Sequence, residues 1–539
     1  MKKFFNWKAA LLLITILAFS LRVYKLDTIP NSLNPDEAAL GYTSYSLLRT
    51  LADEHGKFLP LSLQSFGDWK LPVYSYVGVV PVALFGLNEF SVRFTSAMAG
   101  VAGVLLIYFI SLTLFNRQGI GLLSALLFAL SPWSIYFSRG AYEVNLATTI
   151  FLAGLLAFIK YIYGSKRNVK LLFISFLFFA LTMFTQHNYI VFAPLFVLAL
   201  TIIFRRTIVK NKAFFVSIGV FILFILISYF SVLNGGSNKV SNLVIFNDKN
   251  ILYERVEKLR GDSALKNQLL ERILHTKYLG VPYQIAQNYL NSFSPTFLFD
   301  KGGEKLVHNL GDFGNFYLFD AFLLFVGGAL LFWNKERSLI MLMAWLFISP
   351  IPSAVTRDSP NSTRLFTLMP LFVLIASYGA YQIFVFLKKG TTTNLVIKWI
   401  LIFLFLLNVV FFLDIYFVHL NTQRARFWRS GYKEIVEVSN NYPNKNLIMQ
   451  GVYDFPYIFF LFYNKYDPQK FRKEVEYYPV SYNGFRYVKQ FGRYKFVQAL
   501  SSEKEIPGVL YIDNQNFHKD DNLIRLPNGD PVFKYYIGK

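Results

Sequence analysis

Two adjacent acids, Asp36 and Glu37, stand in the segment NSLNPDEAALGYTSY, just beyond the first apolar run of the chain. A third acid, Glu143, sits where a later apolar run begins, and Lys70, Arg93 and Arg139 lie in the neighbouring polar stretches. Carboxylates beside cations at a membrane surface have two readings. They form ion pairs, or they serve a reaction on a lipid phosphate. In that reaction a carboxylate takes the proton of an attacking hydroxyl, and fixed cations hold the charge that grows on the phosphate. The local sequence also reads as a helix start. Asn34 suits an N-cap, Pro35 the first helical position, and the two acids the first turn, where the helix dipole favours them. Glu37 is at the capping-box spacing from Asn34. The segment therefore predicts a helix, and Asp36 is the candidate base on it.

These residues must be positioned by membrane elements. The chain has 539 residues, 54% hydrophobic and only 16% charged. Apolar runs long enough to span a bilayer fall at 8–24, 93–115, 119–138, 143–163, 169–187, 189–205, 213–233, 316–333, 338–355, 365–387 and 395–418. The first follows Lys2, Lys3 and Lys8 with no small-residue cleavage site after it, which reads as an uncleaved signal anchor. The run 71–87 is short and carries Pro72 and Pro81. Leaving it out puts Arg117, Lys166, Arg167, Lys170, Arg205, Arg206, Lys210, Lys212, Lys335, Arg337, Lys388 and Lys389 in inner loops, with Glu336 their only acid. Counting it as a span moves them all outside, against the positive-inside bias. The expectation is therefore about eleven spans, with 71–87 a re-entrant or juxtamembrane helix pair on the outer face. The net charge of +22 then reflects inner loops and implies no nucleic-acid partner.

This topology gathers the long segments 25–92, 234–315 and 420–539 on the extracytoplasmic face, with polar mouths at 138–145, 185–189 and 356–364. The tail turns hydrophilic. NLIMQG, GVLYIDN and VFKYYIG alternate as strands do, and a helical stretch follows DFPYIFF. The expected organisation is a transmembrane domain over 1–419 and a small α/β domain over 420–539. There is no cysteine, so neither disulfides nor thiol chemistry arise.

The order of these features carries a resemblance. One span is followed by PDEA, then GDWKLP and LFGLNEFSVR, then two spans and LSPWSIYFSRGAYEVN. NYLNSFSPTFLF and SPIPSAVTRDSPNSTRLFTLMP follow further on. Over roughly residues 1–390 the chain resembles the GT-C class of membrane glycosyltransferases. It is most similar to the bacterial branch related to protein O-mannosyltransferases and aminoarabinose lipid A transferases. The resemblance implies a polytopic α-helical fold in the cell membrane with its active site outside. It implies that an acid of the first outer loop binds or activates the acceptor, which falls on Asp36 with Glu37 beside it. The family's second outer acid is commonly Asp; here it is Glu143. Its Lys-Pro-Pro element appears as Lys70-Leu71-Pro72, without the first proline, and its late arginine matches Arg364.

The expected activity is inverting transfer of a sugar from a polyprenyl phosphate to an extracytoplasmic hydroxyl, or similar nucleophile, on protein, lipid or glycan. Asp36, Glu37 and Glu143 are the candidate catalytic residues, and Lys70, Arg139 and Arg364 the candidate phosphate contacts. No cofactor is required. Asp36, Glu143 and His187 are the candidate set for a divalent ion, though no compact metal motif appears. His308 and Asp312 are candidate acceptor contacts, with a solvated loop as the plainer reading. Two alternatives are a polymerase or ligase using a diphosphate-linked glycan, and a flippase for a lipid-linked saccharide. A flippase commonly shows internal repeats, and none is visible.

Overall fold

The apolar runs form helices, and their ends follow local chemistry. The computed structural model describes residues 6–164, 167–231, 276–388, 391–481 and 484–539, together with 245, 258 and 261. Within the expected outer segment 234–315, most of residues 234–275 lies outside the described residues, as do Lys166 and Lys389. Helices α1 (Trp7–Val23) and α2 (Pro35–Thr50) come first. A two-stranded hairpin follows, β1 (Leu63–Ser65) and β2 (Asp68–Lys70). Next come α3 (Val73–Phe85), α4 (Glu89–Phe115), α5 (Gln118–Leu130), α6 (Pro132–Arg139) and α7 (Glu143–Tyr163). Further apolar helices occupy Val169–Thr182, Tyr189–Ile203, Lys212–Ser231, Leu318–Trp333, Leu339–Ile348, Leu368–Leu387 and Thr392–Asp414.

Among the described residues, five helices are long and apolar enough to cross a membrane: Glu89–Phe115, Glu143–Tyr163, Lys212–Ser231, Leu368–Leu387 and Thr392–Gln423. The pair α5–α6 makes a sixth if it is one span. It departs from the straight helix expected over 119–138, for it bends by 54° between Leu130 and Pro132. Pro132 has no N–H to give the preceding turn and pushes the residue before it out of helical geometry; Ser131 accordingly sits at ψ 129°. The run 71–87 holds one helix, α3, in place of the pair expected there. Thirteen residues rise only about 20 Å, short of a hydrocarbon core of roughly 30 Å.

By packing, the chain divides into two compact units. The first joins Met1–Leu106, Ser134–Thr149 and Phe403–Lys539; the second joins Ile107–Trp133 and Ile150–Ile402. In the second unit, Leu318–Trp333 packs along Leu368–Leu387, which also lies against α5. In the first unit the tail forms a mixed sheet of seven strands. These are β3 (Leu447–Gln450), β4 (Glu476–Tyr477), β5 (Val488–Phe491), β6 (Tyr494–Val497), β7 (Leu510–Asp513), β8 (Asn522–Arg525) and β9 (Pro531–Ile537), in the order β4-β5-β6-β3-β7-β9-β8. The central strand β3 is parallel to both neighbours, β6 and β7, and every residue in it is buried. Burial on both faces is what a parallel strand demands. The expected strands at NLIMQG, GVLYIDN and VFKYYIG and the helix Tyr457–Tyr463 are all present.

The tail's apolar face is covered by α2. Leu40 and Tyr42 of α2 share one core with Ile458, Phe459, Phe462 and Phe471 of the tail. Burying each of these side chains contributes roughly 1.5–3 kcal/mol. Arg472 adds polar contacts along the same seam, donating to the Ser46 and Thr50 hydroxyls and the Asp53 carbonyl at 3.0, 2.9 and 2.6 Å.

The hairpin is clamped by the same tail. Its turn residues Phe66 and Gly67 have φ of +61° and +81°, as a type I′ turn requires. Phe66 holds that geometry with its ring 4.4 Å from the ring of Phe455. Its carbonyl accepts the Arg486 N–H at 2.9 Å. A Cβ on Gly67 would lie 2.6 Å from both the Arg486 nitrogen and the Gly484 carbonyl oxygen. Those are backbone atoms that cannot swing aside. Gly67→Ala should therefore destabilise the first unit by about 1–3 kcal/mol, read as a lower melting temperature in detergent. Gly529, also in the first unit and at φ +91° with nothing near its missing Cβ, is the control for positive φ without a clash. Gly529→Ala should cost measurably less, and equal losses would remove the clamp.

Candidate active site

The start of α2 has the geometry its sequence predicts. The Asn34 Oδ1 accepts the Glu37 N–H at 3.0 Å, and the Glu37 Oε2 accepts the Asn34 N–H at 3.2 Å. Glu37 goes further than a cap. It is buried and faces Arg93 of α4, which is also buried. The Arg93 Nε donates to Glu37 Oε1 and Nη2 to Oε2, each at 3.2 Å. The Ala141 N–H also reaches Oε1, at 2.7 Å. Both carboxylate oxygens are thus engaged, and Glu37 ties α2 to α4 and to the turn before α7.

Asp36 is the opposite case. Neighbouring residues on a helix point about 100° apart, so when Glu37 faces inward Asp36 faces out. Its side chain is 74% exposed, and its Oδ1 lies 2.8 Å from the Lys70 Nζ. Lys70 is itself buried at the end of β2. Its Nζ donates to the Asp36 carbonyl oxygen at 3.2 Å and lies 5.2 Å from the centre of the Phe66 ring. The hairpin therefore delivers one ammonium group to one open carboxylate.

Arg139, the other expected phosphate contact of this unit, is turned elsewhere. Its Nη1 donates to the Leu21 carbonyl at 2.9 Å, and its Nη2 to Lys25 and Ile29 carbonyls at 3.3 and 3.0 Å. The guanidinium lies 4.7 Å from the centre of the Phe417 ring and 5.4 Å from that of Tyr416. Arg93 completes the pattern, donating to the carbonyls of Leu26, Pro30 and Ser32 at 3.1, 2.7 and 2.6 Å. Two planar forks thus donate to six carbonyls, one in the last turn of α1 and five in the bend after it. Glu143 is half-buried in the first turn of α7.

The remaining candidates belong to the second unit. Arg364 lies in the 356–364 mouth, where its Nη1 donates to the Thr356 hydroxyl at 2.9 Å and to the Asp358 carboxylate. Lys305 reaches the other Asp358 oxygen at 2.7 Å. Burial would raise the Asp358 carboxyl, but Arg364 and Lys305 outweigh it and hold it below the usual carboxylate range. The Asn188 side chain donates to the Arg364 carbonyl at 3.0 Å, which joins the 185–189 and 356–364 mouths. His187 is half-buried in the turn beside Asn188, His308 follows the Lys305 turn, and Asp312 is exposed. Among the described residues no group of three or more His, Cys, Asp or Glu could hold a metal ion. Of the expected set, Asp36 and Glu143 belong to the first unit and His187 to the second.

Sequence reasoning placed Arg93 near the site without its partner and did not single out Asp358 or Lys305. It also missed the tail residues that hold the hairpin. The spacing of Asp358 and Arg364 within one polar mouth was the available signal for their pairing.

Residues 70–230 match the family pattern described as dolichyl-phosphate-mannose-protein mannosyltransferase. No curated protein matches the chain. Among solved structures, the fold is similar to ArnT from Cupriavidus metallidurans bound to undecaprenyl phosphate. The TM-score is 0.51 at 11% identity, covering 97% of each chain. It is also similar to the archaeal oligosaccharyltransferase AglB from Archaeoglobus fulgidus in complex with an inhibitory peptide and a dolichol-phosphate. There the TM-score is 0.50 at 10% identity, over 84% of this chain and 63% of that one. The chain thus spans somewhat less than two thirds of the oligosaccharyltransferase. The chain thus shares its fold with these two structures, and residues 70–230 within it carry the mannosyltransferase family pattern.

Proposed function

We propose that this protein is an inverting glycosyltransferase that moves a sugar from a polyprenyl phosphate to a hydroxyl, or similar nucleophile, outside the cell. The observation that carries the reading is the exposed Asp36 carboxylate held 2.8 Å from the buried Lys70 ammonium. The structures of ArnT with undecaprenyl phosphate and AglB with dolichol-phosphate support a lipid-phosphate donor. In the proposed step the acceptor oxygen attacks the anomeric carbon from the face opposite the phosphate. The new carbon–oxygen bond forms as the bond to the phosphate oxygen breaks, so the anomeric centre inverts. Asp36 takes the acceptor proton, and polyprenyl phosphate leaves with the bonding electrons. Lys70 has a double role. It holds the Asp36 carboxylate in place in the resting protein, and it stabilises the negative charge that collects on the departing phosphate.

Glu37 and Arg139 are proposed to position this pair, because both Glu37 oxygens and both Arg139 Nη atoms are engaged by the protein itself. Arg364 keeps the phosphate role that the resemblance implies, and Glu143 the role of second acid. His187, His308 and Asp312 stay as candidate acceptor contacts. The scheme requires no metal ion. The topology that fits it has about eleven spans, with α2, the hairpin and the tail on the extracytoplasmic face.

Asp36→Asn should lower turnover by about 10²–10⁴-fold, the usual range for a general base. The assay is release of free polyprenyl phosphate from purified protein supplied with a polyprenyl-phosphate sugar and acceptor. The variant also takes the carboxylate away from the buried Lys70 ammonium, so the melting temperature should fall as well, and turnover is compared per folded molecule. Full activity in this variant would remove Asp36 as the base.

Glu37→Gln should behave differently. It leaves the buried Arg93 charge without its partner, a loss of roughly 3–5 kcal/mol that should appear as poor folding yield and a lower melting temperature. A stable but inactive Glu37→Gln protein would instead give Glu37 a direct chemical role.

The Asp358 pair makes a pH prediction. Its pKa is lowered in the folded state. Its contribution is therefore fully present above the ordinary carboxylate pKa of about 3.9 and lost as pH falls through the lower folded value. Melting curves should show native protein more stable than Asp358→Asn at pH 7, with the gap closing below about pH 4. A gap independent of pH would contradict the pairing.

A further inference from the structure

The second unit contains a cavity of about 730 Å³ between the helices Leu368–Leu387 and Thr392–Asp414. It lies far along the sequence from the α2 and hairpin residues. Lys388, Lys398, Thr391 and Thr392 line it, with Phe384 and Ile402 among its apolar wall residues.

Lys398 is the anomaly. It is the seventh residue of Thr392–Asp414, about 9 Å along the axis from the start, in a segment apolar enough to cross a bilayer. Most neighbouring side chains are exposed, as lipid-facing groups would be: Leu395, Val396, Trp399 and Ile400 are all exposed. Asn394, Lys398 and Ile402, spaced four apart, are half-buried instead. The lysine therefore turns toward the other helix rather than out to lipid. Its Nζ lies 5.9 Å from the centre of the Phe384 ring, and among the described residues neither it nor Lys388 has an acidic partner. A charged group inside a membrane segment is costly and usually meets a partner. Here the half-buried Lys398 ammonium, the exposed Lys388 ammonium, two exposed threonine hydroxyls and an apolar wall line one cavity whose lining contains no carboxylate.

We propose that this cavity is a binding site for the phosphate headgroup of an anionic two-chain phospholipid. Lys388 and Lys398 carry its charge, the threonine hydroxyls donate to its phosphate oxygens, and its chains run down the Phe384–Ile402 side. Basic pockets between membrane helices on the inner side take such headgroups. The positive-inside bias of the loops favours the inner side for this end of the helix pair, whereas the proposed transfer is read as extracytoplasmic. That separation favours a bulk inner-leaflet lipid over the polyprenyl phosphate released on the other face.

The test uses the full chain in phosphatidylcholine vesicles doped with spin-labelled lipid. Electron paramagnetic resonance measures the fraction of label immobilised by the protein. Labelled phosphatidylglycerol should be selected over labelled phosphatidylcholine by about fivefold or more. The double variant Lys388→Gln/Lys398→Gln should bring the ratio close to one, and Lys398→Arg should retain the selectivity. Equal immobilisation of the two lipids by native protein would overturn the proposal, as would selectivity surviving in the double variant. Undecaprenyl phosphate added at an equal mole fraction should leave the label in place. Displacement would assign the site to a polyprenyl phosphate and overturn the phospholipid. These readouts need no turnover, so they stand or fall apart from the proposed glycosyl transfer.

Discussion

The buried pair of Glu37 and Arg93 is the constraint on which the first unit depends. Taking both charges out of water costs several kcal/mol per ion, and the mutual attraction returns this only when the remaining donors and acceptors are also satisfied. Here they are. Arg93 spends its fork on the two Glu37 oxygens and on three carbonyls, and Glu37 takes two backbone N–H groups in addition. Such a pair adds little net stability compared with a well-packed apolar core. What it supplies is a fixed meeting point for the bend after α1, the first turn of α2, the first turns of α4 and the turn before α7. The direction of Asp36 follows from it, since the residue before an inward-facing helical side chain must face elsewhere.

Lys70 shows the same logic from the other side. A lysine buried in a small hairpin would be unfavourable alone. It is tolerated because one carboxylate, one carbonyl and one aromatic ring surround its ammonium group. The ring belongs to Phe66, whose left-handed backbone is kept by Phe455 and by the Arg486 N–H of the tail. The tail is thus a template for the first loop as much as a domain beside it. Its core residues Phe459 and Phe462 pack with α2, the helix that carries Asp36, without touching the Asp36–Lys70 pair.

Much of this was legible. The capping box of Asn34 and Glu37, the apolar runs, and three tail strands follow from local pattern, because each is decided by residues within a turn or a pleat of one another. The bend between α5 and α6 was legible in Pro132 yet lost in a count of spans, which weighs hydropathy and loop charge but not backbone donors. Strands β4, β5, β6 and β8 are short and carry charged or polar positions, so alternation alone does not single them out. The division of labour between Asp36 and Glu37 was not legible. Two adjacent acids look alike until a distant arginine selects one of them, and that selection is made across 56 positions of sequence.

Arg139, expected to contact phosphate, and Arg93 spend their donors on protein carbonyls for a related reason. A cation at the end of an apolar run has two uses, and sequence displays only its charge. Residues 24–34, between α1 and α2, are not helical. Non-helical backbone beside a membrane is tolerated only where its polar groups find partners within the protein. Arg93 and Arg139 together donate to the carbonyls of Leu21, Lys25, Leu26, Ile29, Pro30 and Ser32. A lysine offers one nitrogen and could not reach this set, whereas a guanidinium presents several donors in a fixed plane. The positive charge at these two positions is therefore a consequence of needing a fork. That need arises because the chain must leave α1, cross an irregular bend and enter α2 with Asp36 facing out.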